Sequence, residues 1–234
     1  GLTPVPGDGR YEWAGYRDMD ELPRALNPSR GYVMTANENT IPPDHPAAGK
    51  GVGYEWSDDF RARRLHELLS ASAQHRLEDS QAFQHDITSV PARRVVRLLD
   101  GLTDTRTGVA RGLDLLRRWD ARMHADSAAA ALFEVWFAGH LRRAVVRAVL
   151  SPDAAARVGT GDATRVLQVL EGHEAWLTTD RRNRVLLDSL ASAVADLEQR
   201  LGADPARWQW GRLHQAVFEH PLAARVDADT RRRL

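Results

Sequence analysis

The pattern of apolar and polar positions changes at Ser57. Residues 1–56 are rich in Gly, Pro and aromatic side chains, with short extended runs at Tyr11–Trp13 and Tyr32–Thr35. The second run follows the turn residues Asn27-Pro28-Ser29-Arg30-Gly31 and carries side chains that suit a pleated, half-buried strand. From Ser57-Asp58-Asp59, a helix-start signal, apolar residues recur at helical spacing. The pattern predicts helices from Arg61 to about Ala73, from Leu77 towards Ile87, from Ser89-Val90-Pro91 to a stop near Gly101, and over about Arg106–Trp119. The longest runs from Ser127 to about Leu150, with Leu132, Val135, Trp136, Leu141, Val145 and Val149 near helical periodicity, and Ser151-Pro152-Asp153 ends it. Three more follow: one capped by Asp162 and reaching Gly172, one over Asp180–Leu201, and one over Ala206–Glu219 broken by His220-Pro221. The expected class is α+β and predominantly helical, with a strand and loop segment at 1–56 and a helical region at 57–234.

Composition narrows the function. A hydrophobic content of 43% with seven Trp is enough for a core. The 32 basic residues balance 32 acidic ones, and all the basic residues but Lys50 are Arg. Such a neutral chain lacks the footprint of a nucleic-acid binder, and the short clusters Arg142-Arg143, Arg181-Arg182 and Arg231–Arg233 read as solvated helix faces or ends. With no cysteine there is no disulfide, thiol nucleophile or Cys-ligated zinc. No apolar stretch reaches 18 residues, which argues against a membrane span. The start, Gly1-Leu2-Thr3-Pro4, has neither an initiator Met nor the pattern of a signal peptide, so the chain reads as an internal piece of a longer protein.

The candidate chemistry sits after the second extended run, where Ala36 gives way to Asn37, Glu38 and Asn39 and then Pro42-Pro43. Two carboxamides and a carboxylate at a strand end fit a displayed site, and equally fit Asx-turns. The nine His are scattered, with no pair at metal-ligand spacing on one helix face. No nucleophile elbow or dinucleotide loop occurs, and Gly159-Thr160-Gly161-Asp162 reads as a helix-capping loop.

The stretch Gly31–Pro43 resembles a segment of the penicillin acylase (penicillin amidase) family that reads G-[FYWI]-[IV]-x-T-A-N-[NE]. Further blocks match in the family's order: Gly1–Trp13; Phe60-Arg61-Ala62-Arg63-Arg64-Leu65; Gln84 to Arg93; Trp119-Asp120 with Asp126-Ser127 and Trp136; and Trp208 to Leu222. Together they cover nearly the whole chain. The resemblance implies a self-processed amidohydrolase of the αββα N-terminal-nucleophile fold, in which a newly exposed N-terminal Ser attacks an amide carbonyl and its own α-amine serves as base. That Ser would lie on another segment, so this chain alone would be inactive and its partners would be the other chains of one processed precursor. The resemblance makes Asn37 a side-chain donor to the oxyanion. Arg61 would help orient that site; from the residues alone it could instead pair with Asp58 or Glu55. Gln84, Asp86, Trp119, Asp120, Trp210 and His214 read as structural. The sequence departs from the pattern at Phe60, where Tyr is common, and at Glu38, where many members have a second Asn. No cofactor is implied; where some members place an acidic residue linked to a structural calcium, this chain has Ala48-Gly49. The compartment implied is the periplasm or the exterior. The alternative is a catalytically silent helical binding or scaffold module in which the same blocks survive as packing.

Overall fold

The α-helices begin at Phe60 and run in the order α1 (Phe60–Ser70), α2 (Leu77–Gln84), α3 (Val90–Arg97), α4 (Thr107–Arg117), α5 (Ala128–Glu134), α6 (Arg142–Val149), α7 (Pro152–Val158), α8 (Ala163–Leu170), α9 (Thr179–Leu201), α10 (Trp210–Leu213) and α11 (Ala228–Arg231). They are seen in a computed structural model that describes residues 3–216 and 218–231. Gly1, Leu2, Val217 and 232–234 lie outside the described residues, and with them part of the Arg231–Arg233 cluster and one position of the helix expected over Ala206–Glu219.

Five of the helix starts, those of α3, α5, α7, α8 and α9, are set by a side-chain oxygen accepting one of the amides that the first turn leaves without an intrahelical partner. Ser89 Oγ accepts from Ala92 N at 3.3 Å, Ser127 Oγ from Ala130 N at 3.1 Å, Asp162 Oδ1 from Arg165 N at 2.9 Å and Thr178 Oγ1 from Arg181 N at 3.3 Å. The Ser151-Pro152-Asp153 stop corrects one expectation. It does end the long helix, but Ser151 Oγ also accepts from Ala154 N and Pro152 occupies the first turn of α7. Ser followed by Pro is a start signal, and here it serves both purposes.

The core is built around α9, which packs on α4, α5, α6 and the segment joining α5 to α6. Leu186, Leu190, Ala193 and Leu197 form its fully buried stripe. At Gly112 of α4 an added Cβ would lie 3.3 Å from Val194 and 3.4 Å from Leu132, so the absent side chain is what lets α4 lie so near α9. Between α5 and α6, Val135–Leu141 forms a π-helical turn. The buried positions explain it: Leu132, Trp136, Leu141 and Val145 are at most 1% exposed, and the step from Trp136 to Leu141 is five residues where the others are four. A five-residue repeat keeps one face only if the helix widens locally. Trp136 is fully buried, and its indole Nε1 donates to Ser189 Oγ at 2.8 Å, which in turn donates to Leu186 O at 3.1 Å.

Two other expectations are corrected. Tyr11–Trp13 and Tyr32–Thr35 form no strand: Tyr11 lies in a turn, the other residues have no regular structure, and the described residues contain only one antiparallel bridge, between Thr88 and Arg122. A strand needs a neighbour for its backbone groups, and no other described segment runs beside these. The helix expected over Ala206–Glu219 is reduced to a 3-10 turn, Pro205–Arg207, and α10. Burying Trp208, whose indole donates to Gly202 O at 2.8 Å, holds Trp208 and Gln209 extended, and Gly211 N then donates to Ala125 O at 2.7 Å rather than within a helix.

The balanced charge is spent between elements. Arg94 of α3 grips Glu171 after α8 in a bidentate pair at 2.7 and 2.6 Å, and Arg111 of α4 meets Glu198 of α9 at 2.7 Å. Arg64 of α1 holds Asp86 through two bonds of 2.8 and 2.7 Å, and Thr88 N and Oγ1 donate to the same carboxylate. No helix among the described residues is long and apolar enough to cross a membrane.

Two outcomes are expected. Ser189→Ala leaves the buried Trp136 N–H without an acceptor and should destabilise the protein by about 1–3 kcal/mol in urea denaturation, whereas Trp136→Phe with Ser189→Ala should cost less than the two single changes summed. The Arg64 guanidinium lowers the Asp86 pKa from 3.8 to about 2, with the Thr88 donors adding to it. A carboxylate depressed on folding stabilises above its unfolded pKa, and that contribution fades as pH falls towards about 2. Asp86→Asn should therefore cost about 2 kcal/mol at pH 7 and flatten the loss of stability between about pH 5 and pH 2, read from denaturation midpoints across that range.

Candidate functional site

The site is assembled where the segment 31–39 crosses the first turn of α1. Gly31 N donates to Pro28 O at 2.8 Å, closing the turn before the run Tyr32–Thr35. Tyr32 hydrogen-bonds through its hydroxyl to His66 Nδ1 on α1, which ties the run to the helix. The run ends at Ala36, which is buried, and Asn37, which is exposed and adopts a left-handed backbone with φ 69°. Asn is among the few residues that enter that region at modest cost.

Arg61 is the contact that defines the site. Its Nη2 donates to Ala36 O at 2.8 Å and to Asn37 Oδ1 at 3.0 Å. A guanidinium has donors only, so the carboxamide atom facing it must be the oxygen. The Asn37 amide nitrogen is thereby turned away from the helix with both protons free of acceptors among the described residues. The backbone is pinned as well: Ser57 N donates to Asn37 O at 2.9 Å, Asn37 N donates to Thr35 Oγ1 at 3.3 Å and Ala36 N donates to Glu38 Oε2 at 2.6 Å. Asn39 makes an Asx-turn to Ile41 N at 3.0 Å, as strand-end Asn residues do.

Beside Asn37 lies a cleft of about 470 Å³. Asn37 and Arg61 stand on its rim; Phe60, Leu65, Leu68 and Phe83 give it apolar walls. Asp86 also borders it, but its carboxylate is fully engaged by Arg64 and Thr88. The arrangement is a neutral donor pair, held rigidly at the mouth of an apolar recess, suited to an oxygen on which negative charge develops.

Asn37 and Arg61, which the sequence names separately, are thus brought together, and Arg61 makes no pair with Asp58 or Glu55. Of the positions read as structural, Asp86, Trp119, Asp120, Trp210 and His214 have partners other than Asn37. Trp119 Nε1 donates to Arg122 O at 2.9 Å, and Asp120 Oδ1 accepts from Arg122 N at 2.9 Å. His214 stacks on Trp210 with ring centroids 4.7 Å apart, far along the chain from Asn37, and it faces Glu134, whose carboxyl is pushed up by burial. No group of three or more His, Asp or Glu among the described residues is placed to hold a metal ion. Glu38 and the Ser57 amide, which complete the loop's support, carry no spacing signal; both contacts depend on the left-handed turn at Asn37.

Along most of its length the chain is similar to known proteins. The family model described as penicillin amidase matches residues 1–233. The chain is 31% identical over 243 residues to the acyl-homoserine lactone acylase QuiP of Pseudomonas aeruginosa, covering 92% of this chain and 28% of that protein. It is 28% identical to the penicillin acylase 2 proenzyme of Pseudomonas sp. (strain SE83), covering 97% and 30% respectively. Among solved structures, a thermostable penicillin G acylase from Alcaligenes faecalis superposes with a TM-score of 0.63 at 22% identity, over 88% of this chain and 43% of that one. The chain spans less than a third of the length of either of these two relatives. On the strength of a family match along nearly its whole length, the chain belongs to the penicillin amidase family.

Proposed function

We propose that this chain is the oxyanion-binding part of an amidohydrolase that cleaves an acyl amide into an acid and an amine. In this reading an N-terminal Ser on another segment of the processed precursor attacks the carbonyl, with its α-amine, whose pKa is naturally about 7.7–8.0, as the base. The Asn37 NH₂ donates to the oxygen of the tetrahedral intermediate, and Arg61 acts as a positioning residue through Asn37 Oδ1 and Ala36 O. The αββα arrangement, completed by the strand-forming run Tyr32–Thr35, and a place outside the cytoplasm belong to the same reading.

The observation that carries it is the Arg61 contact, which fixes the carboxamide with its donors outward at the edge of an apolar cleft. A neutral amide is the better donor here because it does not titrate and needs no counterion. The names of the relatives, acyl-homoserine lactone acylase and penicillin acylase, share one chemistry, an acyl group joined to an amine, and the reading takes that shared bond as the substrate class. Support for partner chains comes from residues 3–56, where Trp13 is 94% exposed, Met19 80% and Val33 67%; apolar surface of that extent is normally covered.

The test is Asn37→Ala in the full-length processed protein. Turnover is expected to fall by about 10²–10³ with KM little changed and the circular dichroism spectrum intact. Arg61→Ala should lower kcat less than Asn37→Ala does, because it disturbs the donor without removing it. Unchanged turnover in Asn37→Ala would instead favour a helical module with no part in the chemistry.

A further inference from the structure

We propose that Glu38 is a second positioning residue for this reaction, acting on the angle at which Asn37 presents its carboxamide. The inference rests on the reading of Asn37 as oxyanion donor and goes beyond it by assigning a role to a carboxylate that makes no contact with Arg61 and carries no chemistry itself.

Three consecutive peptide groups determine where the Asn37 side chain points, and each has its own restraint. The one between Asn37 and Glu38 is held through Asn37 O by Ser57 N at 2.9 Å. The one between Ala36 and Asn37 is held through Ala36 O by Arg61 at 2.8 Å. The one between Thr35 and Ala36 is held through Ala36 N by Glu38 Oε2 at 2.6 Å, the shortest of the three and charge-assisted. Ala36 is only 7% exposed, so water is poorly placed to replace the carboxylate as acceptor for that amide. The left-handed turn at Asn37, φ 69°, folds Glu38 back over Ala36 and makes the contact reachable; the contact in turn closes a ring around Asn37 that opposes any unwinding of the turn. A carboxamide at this position could also accept the Ala36 amide, while an Asp side chain is one methylene shorter and would fall short.

The experiment uses the full-length processed enzyme with decanoyl-homoserine lactone or phenylacetyl p-nitroanilide, whichever the wild type turns over faster. Glu38→Ala and Glu38→Asp should each lower kcat about tenfold with KM within about twofold, and Glu38→Gln should recover most of the loss. In an Asn37→Ala background, adding Glu38→Ala should have no further effect, since a residue that acts through Asn37 has nothing left to position. Full kcat in Glu38→Asp or Glu38→Ala, or losses that add in the double variant, would overturn the role of Glu38 while leaving Asn37 in place. A wild-type kcat in Asn37→Ala alone would remove the underlying reading. Glu38→Asp and Glu38→Gln keep the test decisive should Glu38→Ala fail to fold, which urea midpoints will show.

Discussion

A guanidinium can donate but not accept, and that asymmetry settles the orientation of the candidate site. Arg61 stands in the first turn of α1 between Phe60 and Ala62, both buried against the body of the protein. With its neighbours committed to the core, its own side chain is directed at the loop, where it meets two oxygens, Ala36 O and Asn37 Oδ1. The amide protons of Asn37 are thereby left on the side away from that guanidinium. The packing of a helix is in this way converted into the direction of a pair of hydrogen-bond donors, with the loop's own restraints at Ala36 N and Asn37 O holding the backbone that carries them.

The same division of labour runs through the chain. The helical body has a continuous apolar core, in which a single buried polar side chain, Ser189, finds its use as acceptor for Trp136 and is the only such residue buried among those described. Residues 3–56 have almost none of that: Ala36 and Ala47 are their buried apolar residues. Their conformation is fixed by single tethers, Tyr32 to His66, Arg17 to Lys50 O and Arg61 to Ala36, rather than by packing. A segment of that kind places polar groups well only where a tether is present, and the loop at Asn37 has several.

Most helices were legible because their signals are local. Ser89, Ser127 and Asp162 each cap the helix their position announces, and the stripe along α9 recurs at plain α-helical spacing. What could not be read depended on distant partners. The run Tyr32–Thr35 has strand chemistry, but strand formation is a property of two segments, and no described segment pairs with this one. The last predicted helix gave way because burying Trp208 outweighed helix propensity over a few residues, a tertiary effect that periodicity does not record. At the site, the T-A-N stretch singled out Asn37 and the next block singled out Arg61, yet their contact, 24 residues apart, becomes evident only once α1 is docked. Ser151-Pro152 was read as a stop, which it is, while the start the same residues give to α7 was not read.

The π-helical turn has a consequence for how the protein tolerates change in length. Each residue advances an α-helix by about 100°, and the widened turn takes up the one extra residue without passing that rotation on; removing one residue between Trp136 and Leu141 would therefore restore ordinary winding and leave four-residue steps from Leu132 through Trp136 and Leu141 to Val145. Val145 and Val146 would stay on the core face, and Arg142 on the side of Gly161 O. A deletion within α6 itself has no such slack and would turn everything after it by about 100°. The widened turn is thus the one place described where this long helix can lose a residue and keep its core face.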